Sequence, residues 1–453
     1  MILRKFYHEG LAQASYLVGC PGTGEAIVID ANRDLAQYHE VAEREGLRIV
    51  AVTETHIHAD YVSGSKELAE QTGATLFLTS LGGPDWQYAF AGTPLVDGSE
   101  IRAGAVRLVA KHTPGHTPEH LMFLLYEGDN SEPVGAFTGD FVFVGDVGRP
   151  DLLEKATGLA NTMEAGAERL FDSLEAFKRL PAAMLIWPAH GSGSACGKAL
   201  GGVPESTLGY ELQHNPGLRF TKKADFVAWV LDGQPEPPMY FANMKSVNKL
   251  GPAPRPASLK RLGVSRLQAL LASETYVIDL RPRRWVQGEA IGRALSIPNG
   301  RSLTAWAGSL LTPHDSFVLL ARDAREAEQS AMDLALIGLD GVIGWIQVEA
   351  ALDEATRLGL VAPLDLPDLN RTLIDVRKST ERDEKHIIGS VHLPISRMVE
   401  QLAKLDPSKP YTVHCQGGGR AHVAASYLKR LGYDCCAFVE PIDKLAEDLK
   451  QRA

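Results

Sequence analysis

The segment THIHADY, residues 55–61, governs the interpretation of the first half of the chain. It follows the apolar run Leu47 to Val52, which predicts a buried strand, and it brings His56, His58 and Asp60 into one short loop. Loops that follow neighbouring strands meet at one edge of a sheet, so donors from distant strand ends can gather around one metal ion. We therefore expect a metal site that includes this loop.

Two further candidate ligands follow strands of the same kind. His116 comes after the run Val106 to Ala110, and Asp140 comes after the run Val134 to Phe137. Imidazoles and carboxylates with open coordination positions suit a mononuclear non-haem Fe(II) centre, and zinc accepts the same donors. The donors by themselves leave Fe(II) and zinc open, with zinc as the alternative to the iron that the resemblance below implies.

Short apolar runs, turn signals and a few helices before residue 245 favour an α/β sandwich over a strictly alternating parallel fold. The predicted helices are Ser65 to Gln71 and Asn161 to Leu180. The proline-rich stretch GPAPRP, residues 251–256, is typical of an interdomain linker. The predicted strands are Glu25 to Asp30, Leu47 to Val52, Thr75 to Leu78, Val106 to Ala110, Leu121 to Tyr126, Val134 to Phe137 and Met184 to Trp187.

These motifs resemble the metallo-β-lactamase superfamily, whose pattern is an H-x-H-x-D-H loop followed by a distant histidine, a distant aspartate and a last histidine. The resemblance implies an αββα sandwich over residues 1–250 and makes His190 the last histidine. Tyr61 stands where the superfamily has a histidine that holds a second metal. The substitution argues against the dinuclear centre of a glyoxalase II-type hydrolase.

Within the superfamily, persulfide dioxygenases are similar, and they hold a single iron by the residues that match His56, His116 and Asp140. His58 is kept as a further candidate ligand. The resemblance implies that His58, Asp60 and His190 orient ligands and water. The open positions on one Fe(II) per chain would then take O2 and the sulfur of a low-molecular-weight thiol persulfide.

Two more residues are candidate substrate contacts. Arg149 lies in the loop VGDVGRPD, residues 144–151, which resembles the loop by which these dioxygenases hold the thiol carrier. Its planar guanidinium can pair with a substrate carboxylate, or it is a plain surface arginine. Cys196 follows the His190 loop, which makes it either a sulfur relay or an inert buried thiol.

Composition narrows the partners and the compartment. The 453 residues include 46 basic and 56 acidic ones, a net charge of −10, with no dense basic run, so we expect no nucleic-acid partner. We also expect no signal peptide and no membrane span, because no apolar stretch reaches about 18 residues. Five irregularly spaced cysteines favour a reducing, cytoplasmic setting over a disulfide framework.

The sequence after the linker contains an internal repeat. YVIDLR at 276–281 returns as TLIDVR at 372–377, which predicts two similar modules, at 257–361 and 362–453, with the proline-containing stretch 362–367 at their boundary. A later part of the repeat aligns at an offset of 94 positions and places Ala321 opposite Cys415. The second copy therefore carries a thiol that the first lacks.

Cys415 begins the loop CQGGGR, residues 415–420, between a predicted strand and a predicted helix. Successive glycines let backbone N–H groups converge on the sulfur, and the helix N-terminus adds positive potential, so the loop favours a thiolate that accepts sulfane sulfur. Residues 362–453 resemble a rhodanese, which implies Cys415 and Arg420 as catalytic residues. The same resemblance makes residues 257–361 a rhodanese-like copy without its nucleophile.

The whole chain resembles the persulfide dioxygenase–sulfurtransferase family, an α/β multi-domain architecture with an αββα sandwich followed by two rhodanese-like α/β domains. The resemblance implies oxidation of a thiol persulfide to sulfite with O2, sulfur transfer through Cys415 to give thiosulfate, a role in sulfide detoxification, and a homodimer or homotetramer. Two alternatives stay open. One is a zinc-dependent hydrolase of thioesters or lactams with an appended sulfurtransferase, and the other is a persulfide sensor or carrier without turnover.

Overall fold

The computed structural model describes residues 1–152, 154, 162–255, 258–286, 288–365 and 368–450. The chain divides into two compact units, Met1–Pro237 with Phe241–Pro254, and Pro238–Tyr240 with Arg255–Ala453. Several predicted boundaries lie outside the described residues: the helix start at Asn161, the linker end at Pro256, the domain start at Ala257, and Leu366 and Pro367 between the two repeated modules. The division of the second unit into domains 257–361 and 362–453 stays a prediction.

Two six-stranded sheets form most of the first unit. The first sheet contains six strands in chain order, antiparallel from β1 to β3 and parallel from β3 to β6: β1 (Ile2–His8), β2 (Gln13–Cys20), β3 (Glu25–Ile29), β4 (Arg48–Thr53), β5 (Thr75–Thr79) and β6 (Thr93–Leu95). The remaining strands of this unit are β7 (Glu100–Ala103), β8 (Val106–His112), β9 (Leu121–Glu127), β10 (Gly135–Gly139), β11 (Val142–Phe143), β12 (Asp146–Val147), β13 (Leu185–Pro188) and β14 (Ser206–Thr207). The second sheet has the order β14-β13-β10-β9-β8-β7, and β11 pairs with β12.

The two sheets pack face to face, with helices on both outer faces. One buried cluster combines Tyr16 and Val18 of the first sheet with Leu108, Phe123 and Trp187 of the second. The helices of this unit are α1 (Ala36–Arg44), α2 (Ser65–Thr72), α3 (Met163–Phe177), α4 (Leu208–His214), α5 (Lys223–Leu231) and α6 (Phe241–Leu250). Separate apolar clusters hold α1 and α2 against the first sheet and α3 and α5 against the second, which confirms the predicted αββα sandwich.

All seven predicted strands of this unit form, but the first two strands of the structure were not predicted. The reason lies in β2, where the polar residues Gln13 and Ser15 interrupt the apolar pattern and yet are buried. Ser15 Oγ lies 2.7 Å from the Tyr38 hydroxyl, and Gln13 bonds to the Asp30 carbonyl and to Asn32. Because their partners come from distant segments, local periodicity does not show these side chains to be satisfied inside the core.

The second unit contains two four-stranded parallel sheets of the same topology. Their orders are β17-β15-β18-β19 and β22-β21-β23-β24, and β16 pairs with β20. The strands are β15 (Tyr276–Asp279), β16 (Ala290–Ile291), β17 (Leu295–Ser296), β18 (Phe317–Ala321), β19 (Val342–Gln347), β20 (Val361–Ala362), β21 (Thr372–Asp375), β22 (Val391–His392), β23 (Tyr411–His414) and β24 (Cys435–Ala437). The shared strand order agrees with the internal repeat of the sequence.

Helices flank both of these sheets. They are α7 (Leu267–Ala272), α8 (Arg283–Val286), α9 (Leu303–Leu310), α10 (Ala324–Ala335), α11 (Val348–Arg357), α12 (Ser379–Glu384), α13 (Met398–Gln401), α14 (Gly419–Arg430) and α15 (Ile442–Lys450). Across the described part of the chain, none of the helices combines the length and the apolar character that crossing a bilayer requires. All five cysteines are free and buried.

Candidate metal centre and thiol site

The loops that follow β4, β8 and β10 bring His56, His116 and Asp140 together in the first unit. One ligand atom of each lies within 4.8 Å of those of the other two, and all three side chains are buried. The two imidazoles and the carboxylate that the sequence singled out are therefore neighbours, at the sheet edge where the strands end.

Hydrogen bonds fix the tautomers of the two histidines. His56 Nδ1 lies 3.0 Å from Thr55 Oγ1, and that hydroxyl donates to Asp30 Oδ2 at 2.9 Å, so Nδ1 carries the proton that Thr55 accepts. His116 Nδ1 donates to the Arg149 backbone carbonyl at 2.9 Å. In both rings Nε2 is left as the atom with a free lone pair, which is the form that binds a metal.

Buried polar atoms without partners indicate where an ion fits. In the part of the chain that the structure describes, His56 Nε2 and both carboxylate oxygens of Asp140 are buried without a hydrogen bond. Each such atom costs about 1–3 kcal/mol when unpaired, and a cation would satisfy all three. Burial lowers the pKa of His56 well below its usual range and also lowers the pKa of His116, so both rings are neutral. The residues thus fit a divalent iron or zinc ion.

The structure does not bring His58 into this group. Its Nε2 lies 3.1 Å from Asp30 Oδ1. Burial alone would lower the pKa of His58, but the Asp30 carboxylate raises it to about 9. Its Nδ1 is buried without a hydrogen bond in the described part of the chain, so the expectation that His58 is a further metal ligand stays a prediction.

Asp60 and His190 form a second buried group with Cys196, again with one ligand atom of each within 4.8 Å of the others. His190 Nδ1 donates to the Ala12 carbonyl at 3.1 Å, and Nε2 lies 3.1 Å from Asp60 Oδ2 and 3.3 Å from Asp140 Oδ1. Burial opposes a charge on His190, but its acidic neighbours, Asp140 first, raise its pKa well above the usual range. His190 therefore lies between two carboxylates, that of Asp60 and that of the candidate ligand Asp140.

Cys196 lies beside this histidine as a buried thiol. Burial raises the pKa of Cys196 to about 12, and the thiol is 1% exposed. The thiolate is the nucleophilic form of cysteine, and this environment disfavours it. Of the two interpretations that the sequence allowed, the structure therefore favours an inert buried thiol over a sulfur relay.

The Arg149 guanidinium forms its hydrogen bonds within the protein. Its side chain is fully buried, with Nε and Nη2 donating to the two carboxylate oxygens of Asp151, each at 2.8 Å, and Nη1 donating to the Ala195 carbonyl at 2.8 Å. The expectation that its guanidinium holds a substrate carboxylate is wrong for this reason. Arg149 instead ties the Cys196 loop in place and orients His116 through its backbone carbonyl.

Asp30 is a functional residue of the metal centre that sequence reasoning missed. Besides His58 and the Thr55 hydroxyl, it accepts a hydrogen bond from Thr55 N at 2.7 Å, and the Tyr61 hydroxyl donates to its carbonyl at 3.0 Å. Its φ of +56° is in the left-handed region, which is uncommon outside glycine. The available signal was a carboxylate that closes the apolar run EAIVID, residues 25–30, next to the ligand loop in a parallel sheet.

A cavity of about 760 Å³ opens onto His116. One wall is the start of α3, including Arg169, and another is a face of α6 that includes Lys245 and Lys249. Among the residues that the structure describes, the lining contains one carboxylate, that of Asp85, and three basic side chains. The cavity therefore suits an anionic molecule whose reactive end reaches His116.

In the second unit Cys415 lies at the end of β23 and at the start of α14. Its sulfur is buried and accepts a hydrogen bond from Gly418 N at 3.1 Å. Arg420 pairs with Glu381 through both ends of its guanidinium, at 2.5 and 2.7 Å. Burial opposes the charge on Arg420, but Glu381 and Cys415 raise its pKa, so a cation lies beside the thiol. Glu381, which holds this cation, was not predicted.

The corresponding loop of the first copy has a different chemistry. Ala321 ends β18, and the Asp323 side chain caps α10 by accepting from Glu326 N at 2.9 Å. Glu326 also pairs with Arg322. This loop has the methyl group of Ala321 where the second copy has a sulfur and the carboxylate of Glu326 where it has a cation, which agrees with a copy that does not carry sulfur.

The sequence pattern of the metallo-β-lactamase superfamily matches residues 8–190, and that of the rhodanese-like domain matches residues 360–440. The mitochondrial persulfide dioxygenase ETHE1 of Bos taurus is 32% identical over 195 residues, which are 42% of this chain and 68% of that protein. A hydroxyacylglutathione hydrolase-like protein of Homo sapiens is 30% identical over 175 residues, which are 39% of this chain and 54% of that protein.

A solved structure extends the likeness. A metallo-β-lactamase from Staphylococcus aureus subsp. aureus COL is 37% identical and superposes with a TM-score of 0.70, covering 76% of this chain and 99% of its own. The chain therefore belongs to the metallo-β-lactamase superfamily, with persulfide dioxygenases among its relatives, and it ends in a rhodanese-like domain, as a dioxygenase–sulfurtransferase fusion would.

Proposed function

We propose that this chain oxidises a low-molecular-weight thiol persulfide to sulfite with O2 at a single Fe(II), and that it passes sulfane sulfur through Cys415 to give thiosulfate, in sulfide detoxification. The observation that carries the proposal is the convergence of His56, His116 and Asp140 with unpaired buried donor atoms. Similarity to persulfide dioxygenases supports it, and the rhodanese-like domain supports the second step.

The first reaction balances as RSSH + O2 + H2O giving RSH, sulfite and two protons. Iron held by His56, His116 and Asp140 would supply the binding and activation of O2 and of the persulfide sulfur. Burial keeps both imidazoles neutral, while Thr55 and the Arg149 carbonyl accept the Nδ1 protons and so set the tautomers. In this proposal Asp60 Oδ2 and His190 Nε2, which lie 3.1 Å apart, would share a proton beside Asp140.

The basic residues of the cavity indicate which class of thiol would carry the persulfide. Arg169, Lys245 and Lys249 line the same space as His116, so a carrier with carboxylate or phosphate groups would be held with its sulfur toward the metal ligands. Small thiols of this kind, of which glutathione is one, are therefore the proposed substrates. Sulfite and O2 are the other small-molecule partners.

The second reaction takes place at Cys415 and needs no metal. Its thiolate attacks the outer sulfur of a persulfide, which releases the carrier thiolate and leaves a persulfide on Cys415. Sulfite then attacks that outer sulfur, forming the S–S bond of thiosulfate and returning the thiolate. The Gly418 N–H, 3.1 Å from the sulfur, and the neighbouring Arg420 stabilise negative charge through both steps.

An oxygen-electrode assay with glutathione persulfide tests the proposal, with sulfite and thiosulfate quantified in the same reaction. We expect oxygen uptake that depends on bound iron, with sulfite as the product and thiosulfate formed when a second persulfide is present. Absence of oxygen uptake together with hydrolysis of a glutathione thioester would support the zinc hydrolase instead. Light scattering would test the homodimer or homotetramer that belongs to the same proposal.

A further inference from the structure

Arg283, the first residue of α8, lies in the cysteine-less copy but contacts the loop that carries Cys415. Its Nη1 donates to the Gly417 carbonyl at 3.0 Å and to the Val439 carbonyl at 3.3 Å. Both carbonyls belong to the second copy, and Gly417 lies in the same loop as Cys415. The cysteine-less copy therefore holds the backbone of the active loop directly.

The peptide group that Arg283 holds is the one that binds the sulfur. The Gly417 carbonyl and the Gly418 N–H belong to a single peptide group, and that N–H donates to Cys415 Sγ at 3.1 Å. In a planar trans peptide the C=O and the N–H point in opposite directions. A guanidinium at the carbonyl end thus orients the N–H toward the sulfur, and its charge polarises the group so that the N–H is a stronger donor.

The space around Gly418 is matched to Arg283. Gly418 has a φ of +85°, and a Cβ at this position would overlap both the Val439 carbonyl and Arg283 Nη1. Trp306, also from the cysteine-less copy, lies against the next residue, Gly419, with ring atoms 3.4 Å from where a Cβ would be. Only glycine fits at position 418 while Arg283 keeps this contact, so both residues hold the loop in the same conformation.

We propose that Arg283 is a positioning residue for sulfur transfer, acting on the negative sulfur of Cys415 through the peptide group between Gly417 and Gly418. This inference rests on the proposed sulfur transfer and gives the cysteine-less copy a part in it. At the offset of 96 that relates YVIDLR to TLIDVR, the second copy has Ser379 where the first copy has Arg283.

The test is thiosulfate formation from glutathione persulfide and sulfite by the full chain, with steady-state kinetics and the lifetime of the Cys415 persulfide followed by mass spectrometry. For Arg283→Ala we expect kcat to fall about tenfold, the size typical of losing one hydrogen bond to a charged group, with little change in KM. The Cys415 persulfide should be shorter-lived, and added guanidinium should restore part of the kcat. Arg284→Ala is the matched control, because Arg284 is an exposed neighbour whose guanidinium stacks on Trp285, and it should keep wild-type kinetics.

Wild-type kcat in Arg283→Ala would overturn the inference. So would a reduced kcat that guanidinium does not restore and that accompanies a lowered melting temperature, since this pattern belongs to a purely structural residue. If Arg283→Ala does not fold, Arg283→Lys and Arg283→Gln replace it, and kcat should decrease from Arg to Lys to Gln; equal values contradict the inference. The wild type and Cys415→Ser in the same assay distinguish a failure of the proposed function from a failure of the Arg283 inference. If the wild type is no more active than Cys415→Ser, the proposed sulfur transfer itself is refuted.

Discussion

The candidate metal centre draws its donors from loops that are far apart in the sequence, whereas the thiol site is one continuous loop, residues 415–420. In the metal centre each imidazole depends on a neighbour from elsewhere, Thr55 for His56 and the Arg149 carbonyl for His116. In the thiol site the backbone and the start of α14 surround the sulfur, and the other copy adds the side chains of Arg283 and Trp306. We therefore expect substitutions at many positions to disturb the metal centre, and substitutions at few positions to disturb the thiol site.

The largest effect that separates the two sites is expected from His116→Ala. Removing one of three protein ligands should abolish metal retention and oxygen uptake, while thiosulfate formation from supplied persulfide and sulfite continues at the wild-type rate. Metal analysis and an oxygen electrode measure the first two, and the sulfur-transfer assay the third. His39→Ala, on α1, is the control and should change none of them. Loss of both activities in His116→Ala would contradict the separation of the sites.

The reverse experiment is Cys415→Ser. A hydroxyl in place of the sulfur cannot accept sulfane sulfur, so thiosulfate formation should fall to background while oxygen uptake and sulfite production persist. Quantifying sulfite and thiosulfate together distinguishes the outcomes. Loss of oxygen uptake would show that the two reactions are coupled more tightly than the structure implies.

Adding Ala321→Cys to Cys415→Ser compares the two copies directly. The new thiol would lie beside the Asp323 cap and opposite Glu326 rather than an arginine, so we expect no recovery of thiosulfate formation. The same assay measures it. Recovery would mean that a cysteine at this strand end suffices and that the glycine loop and Arg420 contribute little.

Arg149→Lys tests how far the metal centre depends on remote contacts. Lysine cannot make the paired hydrogen bonds to Asp151 and the third to Ala195, so the free energy of unfolding should fall by about 3 kcal/mol, as for broken buried ion pairs, and iron content should fall with it. Denaturant unfolding and metal analysis provide the readouts. Arg102→Lys, an exposed pair with Glu100, should change the stability by no more than about 0.5 kcal/mol. Equal effects in the two variants would refute the structural role of Arg149.

The smallest expected effect is a pH dependence in the second unit. Burial lowers the pKa of His414 to about 4, below the usual value of about 6.5. Between these values the unfolded chain binds a proton that the folded chain excludes, so the stabilisation is complete above about pH 6.5 and is lost as the pH falls toward 4. His414→Phe should flatten the melting temperature over this window, and the exposed His314→Phe should not. An unchanged slope in His414→Phe would show that other groups cause it.

The difference between a site built from distant segments and a site built from one loop also explains what the sequence could predict. The thiol loop, the two-copy topology and the convergence of His56, His116 and Asp140 follow from strand ends and local motifs. The sequence could not show that Arg149 turns inward to Asp151, that His58 pairs with Asp30, or that Arg283 reaches the second copy, because these contacts join residues whose spacing carries no periodic signal. Their partners are set by packing, which only the folded chain defines.

The most direct test of the central claim is the metal content and coordination of the purified full chain, measured by elemental analysis and X-ray absorption. We predict one iron per chain with two imidazole nitrogens and a carboxylate oxygen as protein ligands, from His56, His116 and Asp140. Two metal ions per chain, with sulfur coordination from Cys196 beside Asp60 and His190, would contradict it.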